Sequence, residues 1–120
     1  MKVVITGASR GIGFEMVKQF LANGHKVIAI SRNKEKLLEL EQLGANILPF
    51  DLTASDFSPI IDCVKLFGQI DILINNAGAL LNKPLSKMTN EDINYVYSVN
   101  VFSIIKLTRD FLHISIMTHT

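Results

Sequence analysis

Apolar positions follow two periods along this chain, and the two alternate. Unbroken runs such as Val3-Val4-Ile5, Val27-Ile28-Ala29-Ile30 and Ile72-Leu73-Ile74 read as strands buried on both faces. The stretches between them carry apolar residues at helical spacing. The first strand spans Lys2–Thr6. A helix over 11–23 follows, with Ile12, Met16, Val17, Phe20 and Leu21 as its apolar stripe and Asn23-Gly24 as its stop. A second strand over 26–30 leads to a helix capped by Asn33. Its Leu37, Leu38, Leu40 and Leu43 face inward, and Gly44 ends it. A third strand covers Asn46–Pro49. Ser58-Pro59 reads as a cap with proline at the first helical position, and that helix runs to Phe67 and stops at Gly68. A fourth strand covers 70–74. Thr89 with Asp92 forms a capping-box pattern, and a long helix follows to about position 113. This order predicts an α/β fold, a doubly wound parallel sheet truncated after about four strands. The tail reads poorly, because His113-Ile114-Ser115-Ile116 alternates like a strand with no turn before it.

The 120 residues form one domain over 1–120, with no repeat, linker or low-complexity tract. A 48% hydrophobic share fits strands covered on both faces. Basic and acidic residues nearly balance, twelve against eleven, and both halves of the chain mix them evenly. No basic stripe exists, which argues against a nucleic-acid partner. Lys2 precedes only three apolar residues, so no leader is read, and no apolar run is long enough to cross a membrane. Cys63 is alone and reads as a small core residue. A cytoplasmic protein is the simplest expectation.

Candidate chemistry begins at Thr6-Gly7-Ala8-Ser9-Arg10-Gly11-Ile12-Gly13, set between the first strand and the first helix. Gly7 takes a sharp turn, Gly11 lets a pyrophosphate approach the backbone, and Gly13 lets the helix pack close to the sheet. The helix start offers free N–H groups and a positive dipole end to phosphates. Ser31-Arg32-Asn33 follows the second strand, where an adenosine ribose would lie. An acidic residue there would favour NAD. Arg32, with Arg10 nearby, suits a 2′-phosphate and so NADP; each arginine alone reads as an ordinary surface residue. Asp51-Leu52 follows the third strand, and Asp51 either accepts from an adenine amino group or caps the next helix. In Asn75-Asn76-Ala77-Gly78 the small residues leave room for a ribose and the asparagines can bridge strand ends, though a plain turn uses the same residues.

These motifs together resemble the short-chain dehydrogenase/reductase family, compact branch, N-terminal half only. The matching elements are the glycine turn, Asp51, Asn75-Asn76-Ala77-Gly78 and Val99-Asn100, in the family's order over positions 6–100. The resemblance implies a Rossmann-like fold and an NADP-dependent oxidoreductase, with NAD second. It implies hydride transfer between NADP(H) and a small-molecule carbonyl or alcohol. It places the cofactor at Gly7, Ser9, Arg10, Gly11, Ile12, Arg32, Asp51, Asn76, Ala77 and Gly78, with Ser31, Asn33 and Leu52 beside them. It gives Asn100 a catalytic support role, holding a water in a proton relay.

One departure stands out. The family's proton chemistry uses a Tyr-x-x-x-Lys pair, because hydride addition builds an alkoxide that a positioned acid must neutralise. Here Tyr95 is followed four residues on by Val99, and Tyr97 by Val101. Ser115 follows Asn100 too closely to be the family's serine. The cofactor half is thus expected without most of the catalytic half, and the chain alone is expected to be inactive. The strand over 70–74 would then be an open apolar edge, and Val101, Ile104, Ile105 and Phe111 would risk exposure. That leaves room for a homo-oligomer, and the alternative reading is a non-catalytic dinucleotide-binding or self-associating module. Ser103-x-x-Lys106 has acyl-transfer spacing but lies in an apolar helix without supporting motifs. His25, His113 and His119 lack metal-ligand spacing. The stretch 83–90 is polar and loop-like, and the resemblance implies that 79–87 shapes a substrate pocket.

Overall fold

The computed structural model describes residues 1–78, 84–111 and 117–119. Five parallel strands form one sheet in the order β3-β2-β1-β4-β5. They are β1 Lys2–Thr6, β2 Lys26–Ser31, β3 Asn46–Pro49, β4 Ile72–Ile74 and β5 Met117–His119. The connections carry α1 Gly11–Ala22, α2 Lys34–Gln42, α3 Ser58–Phe67, α4 Asn90–Tyr97 and α5 Ser103–Phe111. Strand order reverses at β1, which pairs with β2 on one side and β4 on the other.

Each unbroken apolar run feeds two cores, because successive strand side chains point to opposite faces. Val3 and Ile5 pack with Val17, Val27, Leu37 and Leu40 on the α1–α2 side. Val4 packs with Ile28, Ile60, Val64, Leu73, Leu107 and Phe111 on the α3–α5 side. The doubly wound sheet read from the sequence is therefore present.

Several local expectations are corrected. β5 pairs along β4, Ile72 with Met117 and Ile74 with His119, so β4 is an interior strand rather than an open edge. Phe111 is fully buried, because α5 lies against the α3 side of the sheet, whereas Val101 and Ile105 are exposed. β4 begins at Ile72 rather than at 70. Ahead of it, the Asp71 carboxylate accepts from the Lys2 backbone N–H at 2.8 Å and the Asp71 N–H donates to the Lys2 carbonyl, so a loop makes the first contact with β1. Ile12 is exposed, since α1 buries Gly13 and Val17, and Leu38 and Leu43 lie off the Leu37/Leu40 face of α2. Ser58 is the first residue of α3 and not its cap. Asp56 accepts from both the N–H and the hydroxyl of Ser58, at 2.9 and 2.6 Å.

The caps at Asn33 and Thr89 form as read. Asn33 Oδ1 accepts from the Lys36 N–H, and Thr89 and Asp92 complete a reciprocal capping box. The helix that Thr89 opens is not uniform: a π-helical turn, Ser98–Phe102, separates α4 from α5. The alternating residues 113–116 and most of the proposed pocket segment, 79–83, lie outside the described residues.

Candidate functional site

Thr6 ends β1 buried, and its Oγ1 accepts from the backbone N–H groups of Asn76 and Ala77, each at 3.1 Å. Asn76 Nδ2 donates to the Gly7 carbonyl at 3.2 Å. The ends of β1 and β4 are thereby joined by side chains as well as by the ladder. Gly7 has φ +64°, and a Cβ there would stand 2.7 Å from Ala77 Cα. A Cβ on Gly13 would collide with the Gly7 carbonyl oxygen and lie 2.5 Å from Asn76 Nδ2. The close helix–sheet approach expected of Gly13 is thus a property of the fold. Asn75 is buried, and its Nδ2 has no hydrogen-bond partner among the described residues.

Gly11 is different. Its φ is +59° and nothing lies within 4 Å of where a Cβ would be. It opens α1, whose N-cap Arg10 is extended and makes no side-chain cap. The first-turn N–H groups are left to an outside acceptor, at the positive end of the helix dipole.

A cleft of about 490 Å³ runs along the carboxyl ends of the strands. The turn after β1 contributes Gly7, Ser9, Arg10 and Gly11. The end of β2 and the loop after it contribute Ile30, Ser31, Arg32 and Asn33; the loop after β3 contributes Phe50, Asp51 and Leu52; the loop after β4 contributes Asn76, Ala77 and Gly78. Tyr95 and Val99 close one side. This gathers every candidate cofactor residue except Ile12, whose side chain is 73% exposed and turned away along α1. Asn100 lies in the π-turn at the cleft's margin, its Oδ1 3.6 Å from where a Gly78 Cβ would be.

Asp51 Oδ1 accepts from the N–H and hydroxyl of Thr53, at 2.9 and 2.8 Å. Those bonds, with help from the Arg32 charge, hold its carboxyl below the usual aspartate range. Asp51 does not cap α3, which starts seven residues later at Ser58. Arg32 is exposed, with Cζ 5.5 Å from the centre of the Tyr95 ring. It makes no hydrogen bond or ion pair among the described residues. Cys63 is half-buried, and that burial pushes its thiol up.

The residues that sequence reasoning missed as cleft walls are Ile30, Phe50, Tyr95 and Val99. Tyr95 and Val99 are four apart on one helical face just before Asn100, a spacing that could have marked them. A larger hollow of about 940 Å³ lies along the outer flank of α1, beside Ile12, Phe14, Met16 and Phe20. It takes nothing from β2, β3 or β4, so the smaller cleft is the one that combines strand ends, a helix N-terminus and two arginines. Among the described residues no cluster of three His, Cys, Asp or Glu side chains could hold a metal, and no helix is long and apolar enough to cross a membrane.

A crevice at the carboxyl ends of parallel strands, at the point where their order reverses, defines a Rossmann-like doubly wound α/β protein. Residues 1–119 match the family described as short chain dehydrogenase, and the chain belongs to that family. It is 36% identical over 118 residues to the NADP-dependent 3-hydroxy acid dehydrogenase of Salmonella typhi, covering 93% of this chain and 48% of that protein. The crystal structure of serine dehydrogenase from Escherichia coli is 34% identical with a TM-score of 0.81, covering 94% of this chain and 55% of that one. A short-chain dehydrogenase from Sphingobium yanoikuyae in complex with NADPH is 28% identical with a TM-score of 0.84, covering 98% of this chain and 52% of that one. The chain spans about half the length of these relatives.

Proposed function

We propose that this chain is the NAD(P)-binding domain of a short-chain dehydrogenase and holds NADP(H) in the strand-end cleft. The oxidoreductase it serves transfers hydride between NADP(H) and a small-molecule carbonyl or alcohol. The observation that carries the reading is the convergence of Arg10 and Arg32 on one cleft with the uncapped start of α1.

The residues present fit such a cofactor. Gly11 leaves an open cradle where any side chain would project, and the first turn of α1 offers N–H donors to a pyrophosphate. Arg10 and Arg32 suit an additional phosphate on the ribose, with Ser31 and Asn33 beside them. No acidic residue stands at positions 31–33 to prefer a free 2′-hydroxyl. Asp51 stays ionised and has one oxygen free of the Thr53 bonds for an adenine amino group. Ala77 and Gly78 leave space for a ribose. When bound, the nicotinamide supplies or receives the hydride. Asn100, at the margin, would hold a water of the proton relay.

Neither tyrosine has a lysine one helical turn on, and Tyr95 faces Arg32. The chain by itself is therefore expected to bind cofactor without turnover. That is also what favours the second reading, a dinucleotide-binding module without catalysis. The exposed Tyr97, Phe102 and Ile105 along the α4–α5 layer support a homo-oligomer, and the lone Cys63 suits a cytoplasmic setting.

Titration of the purified protein with NADPH and NADH, followed by nicotinamide fluorescence, tests the reading. Tighter binding of NADPH is expected, with Arg32→Asp moving the preference toward NADH. Absence of binding by either cofactor, or an NADPH/NADH ratio unmoved by Arg32→Asp, would overturn it.

A further inference from the structure

Arg32 sits in a loop just past β2, exposed, on a long flexible side chain. Such a side chain samples many rotamers unless something holds it. Among the described residues no carboxylate forms an ion pair or hydrogen bond with it; the Asp51 carboxylate feels its charge only at longer range, and its N–H groups are uncommitted. What meets it is an aromatic ring: Arg32 Cζ lies 5.5 Å from the centre of Tyr95. The two residues are 63 positions apart and come from opposite sides of β1 in the sheet order.

Tyr95 comes from the other wall of the cleft. It is half-buried in α4, whose start is locked by the Thr89–Asp92 capping box. Val99, one turn on and on the same face, is buried against the cleft. An aromatic ring attracts a guanidinium by its face, while the guanidinium's edge N–H groups remain available to a phosphate. An acidic partner would neutralise the cation; an aromatic one holds it and leaves its charge intact.

We propose that Tyr95 is the positioning residue for Arg32, holding the guanidinium at the cleft mouth so that it discriminates a 2′-phosphorylated adenosine from an unphosphorylated one. The proposal rests on the cofactor reading above and adds to it the residue that sets the preference. Tyr95 itself lines the cleft, and its influence on the preference is exerted through Arg32.

The experiment titrates wild-type protein, Tyr95→Leu, Tyr95→Phe and Arg32→Ala with NADPH, NADH and adenosine 2′,5′-bisphosphate. Tyr95→Leu should lower the NADPH/NADH affinity ratio by about three- to tenfold and weaken the bisphosphate by a similar factor, whatever smaller loss the two cofactors share from the altered cleft wall. Tyr95→Phe keeps the ring face and should keep the wild-type ratio. In an Arg32→Ala background, Tyr95→Leu should add nothing further. An unmoved NADPH/NADH ratio, equal loss of both cofactors, or additive effects in the double variant would each overturn the proposal. Should Tyr95→Leu fail to fold, Tyr95→Met is measured in its place against the same outcomes. Wild-type protein that binds neither cofactor overturns the cofactor reading itself, a result distinct from wild-type selectivity that Tyr95 does not influence.

Discussion

The buried Thr6 hydroxyl oxygen accepts from the backbone N–H of Asn76, 70 positions away, and from the next N–H as well. One side chain thus ties the ends of the two central strands where the cleft opens. Thr6→Val keeps the shape and removes the acceptor, leaving the Ala77 N–H unpaired and the Asn76 N–H with only its bond to the Ile74 carbonyl. A loss of roughly 2 kcal/mol in chemical denaturation is expected. Thr6→Ser, which keeps the oxygen, should lose clearly less. Equal stability of Thr6→Val and wild type would show that the hydroxyl is not needed.

Gly11 and Gly13 are two residues apart, and their substitutions should separate folding from binding. Gly13→Ala drives a Cβ into the Gly7 carbonyl and the Asn76 side chain, so a loss of several kcal/mol or failure to fold is expected. Gly11→Ala meets open space and carries only the strain of its positive φ, about 1–2 kcal/mol. A bulky residue at 11 should leave a folded protein that no longer binds NADPH. Thermal melts beside cofactor titrations distinguish the two, and a Gly13→Ala protein as stable as wild type would contradict the packing argument.

Phe111 closes the core on the α3–α5 side and is fully buried. Phe111→Ala should cost about 3–5 kcal/mol through lost burial and the cavity left behind. Ile105→Ala, at an exposed site on the same helix, should change stability by less than about 1 kcal/mol. Comparable effects from the two would mean that α5 does not pack as described.

Asp51 carries a pH signature. The Thr53 N–H and hydroxyl donate to its charged form, so its folded pKa lies below 3.8. The resulting contribution to stability is present above the ordinary aspartate value and fades only as pH falls through the lower folded one. NMR titration of the Asp51 carboxyl should give a midpoint under 3.8, and Thr53→Ala should raise it. A midpoint at or above that value would remove the Thr53 bonds from the account.

The glycine turn, the strand–helix alternation, the caps at Asn33 and Thr89 and the positions of Arg10, Arg32, Asp51 and Asn76 at strand ends were all legible in the linear chain. Each depends on interactions over one turn or on a period of two or of 3.6. Nothing local could show that β5 would lie along β4, that Phe111 would be buried while Ile105 faced water, or that the Tyr95 ring would meet Arg32. These are contacts between segments far apart in sequence. The turn of α5 against the sheet decides which apolar side chains are covered. The order of strands in the sheet decides which loops share the cleft. Local periodicity specifies the elements and one face of each; only their packing determines which neighbour that face receives.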